Sequence, residues 1–390
     1  MKIIVLGAGL VGGPMALDLA KDSKFDVAIA DINPANLLAV EQRWKSLSVK
    51  GVQTGKPLQT IRQDLSDPAQ VTKLVSDFDM AVNAVPGFMG FRTLNAILEA
   101  GRNAVDIAFF IEDPFELDDL AKRKGVTAIM DMGVAPGMCN VLIGYADSLL
   151  DETEEVLYMV GGLPVVREWP YEYKAVFSPV DVIEEYTRPA RFIENGRMVV
   201  KPALSDPELL DFPGIGTLEA FNTDGLRSLA RTVKCRNMKE KTLRYPGHIE
   251  KMRMLRETGF FSLEEIEIKG AMIRPMDLTA RLLFPKWKLN EGEADITVMK
   301  VVVEGTMEGR RVRYSWDLID RYDEPTGIHS MARTTGYTAT TAVRMIADGI
   351  YTRKGISVPE FVGQQPGCVD YLLKGLGEKN VHYHQKTTYI

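Results

Sequence analysis

Met1-Lys2-Ile3-Ile4-Val5-Leu6-Gly7-Ala8-Gly9-Leu10-Val11-Gly12 joins an apolar, β-branched run to three glycines spaced Gly-x-Gly-x-x-Gly. A helical pattern follows over residues 10–21, and a second strand pattern over 26–31 ends in Asp31. In this order Gly7 permits a tight turn, Gly9 lets the backbone approach a bound group, and Gly12 lets the helix press on the strand. Leu10 and Val11 complete the loop, and unpaired amides at the helix start attract phosphate. Asp31 stands 19 residues after Gly12, where a carboxylate accepts the hydroxyls of an adenosine ribose. The expected ligand is a dinucleotide. Ile32, Asn33 and Pro34 supply no cation to offset repulsion of a 2′-phosphate, which favours NAD over NADP. The alternative is a similar fold that binds another adenosine-containing ligand, or none.

Outward from this stretch, short apolar runs at 2–6, 26–31, 59–63, 80–85, 104–107 and 126–130 alternate with helical patterns at 10–21, 34–45, 68–76, 91–100 and 114–123. Six strands and five crossovers predict an α/β, doubly wound parallel sheet of the Rossmann type. Ligands of such sheets gather at the carboxyl ends of the strands. Asp64 and Leu65 therefore become candidates for the adenine side, with a simple turn or cap as the alternative for Asp64. Asn83, Ala84, Val85 and Pro86 become candidates for the pyrophosphate and nicotinamide ribose.

Beyond Asp151 the spacing becomes irregular. Residues 155–160, 266–269, 296–304 and 310–319 read as strands, the last two joined as a hairpin around Met307-Glu308-Gly309. A second α+β domain with a largely antiparallel sheet is predicted. From Ile328, small residues recur at helical spacing (Ala332, Thr335, Ala339, Ala342, Ile346), a face suited to close packing. The expected division is a discontinuous nucleotide domain, 1–132 with 328–390, and a substrate and dimerisation domain, 133–327. A helical appendage on the second domain is the alternative.

The 390 residues carry 47 basic and 53 acidic side chains, a net charge of −6 without long runs of one sign, which argues against nucleic acid as a partner. Cys139, Cys235 and Cys368 lie far apart, so neither a zinc site nor a disulfide framework is expected and no metal is assigned. The apolar start is interrupted by Gly7, Gly9, Gly12, Gly13, Pro14 and Asp18 too early for a signal peptide, and no stretch reads as a membrane span. A cytoplasmic, soluble enzyme is the expectation.

Several blocks together resemble the saccharopine dehydrogenase-like oxidoreductases. They are Gly133-Val134-Ala135-Pro136-Gly137-Met138, Tyr171-Glu172-Tyr173-Lys174, Phe177-Ser178-Pro179, Glu185-Tyr186-Thr187-Arg188-Pro189-Ala190, Leu218-Glu219-Ala220-Phe221, the stretch 243–251 and the stretch 331–338. Within that family the pattern resembles lysine 6-dehydrogenases. The resemblance implies NAD-dependent oxidation of the L-lysine side-chain amine, release of ammonia, and a homodimer joined through the second domain's sheet. Saccharopine-forming reductases typically carry Asp before Pro-Gly where this chain has Ala135. Reductive coupling, as in saccharopine or carboxynorspermidine formation, remains the alternative, and an NAD-sensing regulator is the non-enzymatic one.

Such chemistry needs a proton acceptor, because hydride leaves carbon only beside an uncharged amine. His248, set between Arg244, Glu250 and Lys251, is the leading proton carrier or substrate anchor, with a hydrogen-bonded structural histidine as the alternative. His329 reads as a junction residue, and His382 and His384 as a solvated tail. Arg244 is the candidate carboxylate clamp, or an ordinary strand-surface ion pair. Lys174 is a candidate base if desolvated, and Tyr173 a neighbour facing the nicotinamide, or else a solvated lysine and a packed tyrosine. Asp106 can hold ribose or the substrate amine, or cap a helix. Glu219 and Asp224 are weaker candidates for the α-ammonium.

Overall fold

The structure, a computed structural model, describes residues 1–49, 55–290 and 292–390, with side chains omitted at 48 and 49. It divides into two compact units, Met1–Tyr145 with Ala332–His382, and Ala146–Met331 with Tyr383–Ile390.

In the first unit β1 (Lys2–Leu6), β2 (Asp26–Asp31), β3 (Gln59–Arg62), β4 (Met80–Asn83), β5 (Asn103–Asp106) and β6 (Thr127–Ile129) lie in the order β6-β5-β4-β1-β2-β3. Every neighbouring pair is parallel, which is the Rossmann arrangement. Ile3, Ile4, Val5 and Leu6 are fully buried, as a central strand covered on both faces requires. A seventh strand, Gly355–Ser357, pairs with β6 and was not anticipated, because three residues carry too little pattern to read. The expected helix at 91–100 instead spans Gly87–Glu99, starting directly after Pro86 at its N-cap. No helix among the described residues is long and apolar enough to cross a membrane.

The second unit holds β7 (Glu152–Pro164), β8 (Ala190–Glu194), β9 (Arg197–Lys201), β10 (Ser205–Phe212), β11 (Gly216–Asn222), β12 (Asn237–Arg244), β13 (Ile266–Ile268), β14 (Ala271–Ile273), β15 (Asp295–Met307) and β16 (Arg310–Arg321). The main sheet runs β10-β11-β12-β7-β15-β16 and ends on Tyr383–Tyr389, with β8 and β9 attached beside β12. All its pairs are antiparallel except β12 with β7. The strand expected at 266–269 pairs only with β14, outside the main sheet.

Three boundaries differ from expectation, the smallest shift being that residues 328–331 fall in the second unit. Residues 133–145 belong to the first unit, because the helix Met138–Leu149 packs there through glycine. A Cβ on Gly144 would stand 2.2 Å from the Glu360 carbonyl, and Asn140 Nδ2 donates to Glu360 Oε2 at 3.3 Å. Residues 383–390 belong to the second unit, because Tyr383–Tyr389 is a strand paired with β16. His384 thus lies opposite Asp317 in a sheet and is not part of a loose tail.

A buried ion pair ties the late helix Ser330–Ala347 to the first helix, Gly12–Ala20, within the first unit. Arg344 donates to Asp18 Oδ2 at 2.8 Å and to the Asp18 carbonyl at 2.9 Å, and Thr340 Oγ1 donates to the same carboxylate at 2.6 Å. Burial alone would raise the Asp18 pKa, but the charges of Arg344 and Lys379 and these hydrogen bonds outweigh it and hold the carboxylate below its ordinary range. Breaking one side of such a pair leaves the other charge buried and unmatched. Arg344→Met is expected to destabilise the fold by about 3 kcal/mol in urea unfolding at pH 7. A depressed folded pKa means that this contribution is present above about pH 4 and lost on further acidification. Wild type and Arg344→Met should therefore converge in stability toward pH 3, and curves that stay parallel would refute the pairing.

Candidate active site

In the first unit the glycine loop has the geometry that a phosphate-binding turn requires. Gly7 adopts φ +103, and a Cβ there would stand 2.6 Å from the Ala84 carbonyl. A Cβ on Gly12 would meet the Gly7 carbonyl at 2.0 Å, so the helix can begin only where side chains are absent. Beside Gly9, by contrast, a Cβ would find no atom within 4 Å. That open space borders the first turn of the helix, where free amides face outward.

Asp31 is locked to this loop. Its Oδ2 accepts from Ala8 N and its Oδ1 from Asn33 N, both at 2.7 Å. Leu10, Ile32 and Phe88 are exposed at the carboxyl edge of the sheet, Phe88 by 75%. Ile32 was read in the sequence only for its lack of charge, and Phe88 was missed, since only the fold brings it to that edge. An apolar rim, a carboxylate fixed at the end of β2 and a glycine loop clear of side chains beside Gly9 together fit a dinucleotide.

The remaining first-unit candidates divide. Asp64 is exposed and accepts from Ser66 N at 2.9 Å, a turn that lowers its pKa. The side chains of Leu65 and Val85 are buried in the core. The Ala84 carbonyl backs Gly7, and Pro86 is exposed at the N-cap of its helix. Asn83 and Asp106 are fully buried side by side. Asn83 Nδ2 donates to Asp106 Oδ2 at 2.6 Å and to the Gly90 carbonyl at 3.1 Å, while Asp106 Oδ1 accepts from Ala108 N at 2.6 Å. Asp106 is therefore a turn-fixing carboxylate, which corrects the expectation that it reaches ribose or substrate.

The second unit gathers its own cluster. β12 ends at Arg244, and the turn Tyr245-Pro246-Gly247 leads straight into the helix His248–Glu257, with Gly247 left-handed at φ +86. Arg244 and His248 are thereby placed on one buried polar ridge. Arg244 is only 2% exposed. Its Nη2 donates to Glu185 Oε2 at 2.5 Å, its Nε to the Tyr186 hydroxyl at 3.1 Å and its Nη1 to the Leu243 carbonyl at 2.9 Å. Its guanidinium carbon lies 4.6 Å from the centre of the Tyr173 ring. The surface ion pair considered for Arg244 is excluded, and part of the fork intended for a substrate carboxylate is taken by Glu185.

His248 Nδ1 lies 2.9 Å from the Tyr171 carbonyl, which can only accept, so Nδ1 carries the proton. Nε2 then accepts from the Tyr186 hydroxyl at 3.0 Å. Burial, reinforced by the Arg244 charge, lowers the His248 pKa to about 3, so the ring is neutral at physiological pH. Burial pushes the Tyr186 phenol up to about 12. Burial also raises the Glu185 pKa, although Arg244 pulls it back in part. Glu185 keeps 23% of its side chain exposed, so the pair retains a route to solvent.

Tyr173 packs against His248, with ring centres 5.1 Å apart, and edge-on against Trp287 at 5.5 Å. The buried Tyr173 hydroxyl and Trp287 Nε1 have no hydrogen-bond partner among the described residues. Such orphaned donors are rare in folded proteins and mark a place where a ligand atom or water can be received. Glu185 and Tyr186 were quoted in the sequence only as part of a resemblance block, without a site role, and Trp287 was not quoted, because 43 to 59 residues separate them from Arg244 and only the fold joins them.

Lys174 is buried, but its ammonium lies 3.0 Å from Glu168 and 3.5 Å from Glu293. Burial would lower its pKa; the two carboxylates outweigh burial and raise it. A charged, paired lysine is the opposite of the desolvated base expected. Asp224 is held by both Arg191 Nε and Nη2, at 2.7 and 2.8 Å, and Glu219 accepts from Gly247 N at 3.0 Å. Both act within the fold. His329 bonds the Glu293 carbonyl at 3.1 Å.

Residues 3–129 match the saccharopine dehydrogenase NADP binding domain family, and residues 133–381 match the saccharopine dehydrogenase C-terminal domain family. Saccharopine dehydrogenase (NADP(+), L-glutamate-forming) of Schizosaccharomyces pombe is 23% identical, across 96% of this chain and 97% of its own. Carboxyaminopropylagmatine dehydrogenase of Synechocystis is 24% identical, across 98% and 97%. Carboxynorspermidine synthase of Vibrio cholerae is 22% identical, across 97% and 96%. The solved structure of apo saccharopine dehydrogenase (L-Glu forming) from Saccharomyces cerevisiae has the same fold, with a TM-score of 0.79 at 18% identity and 99% of each chain covered. Both domain families account for nearly the whole chain, and the protein belongs to the saccharopine dehydrogenase family.

Proposed function

We propose that the protein is an NAD-dependent oxidoreductase acting on the carbon beside an amine, with the side-chain amine of L-lysine as its substrate. The observation that carries this proposal is the charge pattern at Arg244. One buried guanidinium, one carboxylate that still reaches solvent and one neutral histidine form a set able to orient a substrate and take a proton. NAD, when bound, supplies the hydride acceptor. Glu185, with its raised pKa and an oxygen not held by Arg244, takes the proton of the substrate ammonium. Arg244 holds the substrate carboxylate through donors that its three bonds leave over, and Tyr173 and Trp287 add theirs. His248 and Tyr186 position that guanidinium and keep the phenol's proton on the shared hydrogen bond.

Ala135 supports the lysine reaction over saccharopine formation, since the carboxylate typical of the reductases is missing there. The names of the three full-length relatives favour a second possibility, reductive coupling of an amine with a carbonyl compound. Purified protein given NAD and, separately, L-lysine, saccharopine and carboxynorspermidine should form NADH with L-lysine, at a rate that rises toward alkaline pH as the amine loses its proton. Turnover of saccharopine or carboxynorspermidine without lysine would replace the first reaction by the second. Nucleotide binding without turnover of any would point to a sensor.

Asp31 is expected to favour the unphosphorylated ribose, through hydrogen bonds to its hydroxyls and repulsion of phosphate. Asp31→Ala should weaken NADH binding about tenfold in a fluorescence titration. An unchanged affinity would show that the ribose lies elsewhere.

The neutral His248 has a measurable consequence. An unfolded histidine takes up its proton near pH 6.5, the folded one only near 3, so stability is full above that window and falls with acidification through it. The slope is about 1.4 kcal/mol per pH unit. Urea midpoints measured from pH 7 to 4.5 should decline less steeply in His248→Asn than in wild type; equal slopes would mean that the imidazole titrates normally.

A further inference from the structure

We propose that Lys251 is a specificity-determining residue: with Arg244 it forms a single anchor for the substrate's carboxylate, and so selects amino acids over simple amines. The proposal rests on the amine-oxidising reading of this site given above. Lys251 stands three residues after His248 in the helix His248–Glu257, a spacing that puts both side chains on one face. Long side chains in a helix lean back toward its N-terminus. Lys251 does so: its ammonium lies 3.9 Å from where a Cβ on Gly247 would stand, beside the turn that joins Arg244 to His248. Its charge is felt at the imidazole.

The cations around this turn are unequally committed. Arg244 is bonded to Glu185, Arg167 to Glu172, and Lys174 to Glu168 and Glu293. Lys251 is half-buried, and among the described residues no carboxylate lies within ion-pair distance of it. Its ammonium rests instead over the Trp169 ring, 5.5 Å from the centre. Trp169 is 82% exposed, and at such an open edge a cation–ring contact is weak enough for a carboxylate to replace it. Arg244 by itself is an incomplete anchor, since Glu185, Tyr186 and the Leu243 carbonyl already take three of its bonds. A carboxylate that reaches its spare donors still has lone pairs to satisfy, and Lys251 is the cation placed to do so. A diamine without a carboxylate brings only positive charge to the same two cations, which repel it. The sequence showed Lys251 only as a neighbour of His248, because the ring that holds it comes from the connection after β7.

The test compares L-lysine with cadaverine, the same diamine chain without the carboxylate, in wild type, Lys251→Met and Lys251→Arg. Turnover with NAD gives kcat and KM, and calorimetry gives Kd, which carries the same comparison for any ligand that binds without turnover. Wild type should favour L-lysine. Lys251→Met should raise KM for L-lysine about tenfold, change KM more than kcat, and shrink the preference over cadaverine by a similar factor. Lys251→Arg should restore most of the preference. Added salt should raise KM for L-lysine more in wild type than in Lys251→Met. A Lys251→Met protein that keeps its preference, or that loses kcat on both amines alike, would overturn the proposal. Should wild type act on saccharopine or carboxynorspermidine and not on lysine, the lysine reading falls, and KM on that substrate decides Lys251: a rise of about tenfold in Lys251→Met upholds it and an unchanged KM overturns it. Failure of all these ligands to bind wild type would overturn both.

Discussion

A guanidinium taken out of water must find its hydrogen bonds and its counter-charge inside the protein, and the second unit is organised around that need at Arg244. Glu185 brings the charge, from the helix Pro179–Thr187. Tyr186, one residue on, brings a hydroxyl to Nε, and the Leu243 carbonyl closes a third donor. The faces of Tyr173 and Tyr186 lie near the cation, where the negative side of a ring adds to its stability. Once the charge is fixed, the state of His248 follows. A second cation beside Arg244 in a buried site is too costly, so the imidazole stays neutral and serves as acceptor for Tyr186 and donor to the Tyr171 carbonyl.

The first unit answers a different constraint, the approach of backbone to backbone. Gly7 and Gly12 are needed because their Cβ positions are already filled by carbonyl groups, whereas the space beside Gly9 is clear. Two glycines shape the turn, and the third leaves room for what the turn receives. Asp31 belongs to the same device, since its bond to Ala8 N stitches the end of β2 to the loop. A carboxylate with one backbone donor on each oxygen keeps further lone pairs to accept with, which is why the ribose argument concerns geometry as much as charge.

The first sheet was legible because buried parallel strands are continuous apolar runs and the glycine pattern fixes their start. Much of the second sheet was not. β7 reads as broken at Gly161 and Gly162, yet these glycines continue the strand because side chains there would collide with Leu243 and Val176. β8 to β10 are half exposed and lack a strong alternation, so they were missed. Within the site, Arg244 and His248 could be picked out because polar residues crowd one short block. Their partners could not, since Glu185, Tyr186 and Trp287 come from distant elements. Lys174 was misjudged because the pair that keeps it charged was not read as one: Glu168 stands nearby in the same connection, but Glu293 comes from a distant loop.

The same contacts bear on which charges the proposed substrate can carry. In the second unit Arg191 is matched by Asp224, Arg188 by Glu184, and Lys174 by two carboxylates, while Lys251, whose charge reaches His248, lies over the Trp169 ring. Burial lifts the Glu240 pKa to about 8 and, with Glu184 nearby, that of Asp181 to about 6, so protons rather than cations complete the balance. A ligand bringing several carboxylates would have to enter beside these raised acids, with the spare donors of Arg244, Tyr173 and Trp287 and the charge of Lys251 to receive them. A ligand bringing one carboxylate and additional amines meets one cationic anchor and several acids able to release protons. The electrostatics of the second unit thus support a substrate richer in nitrogen than in carboxylate.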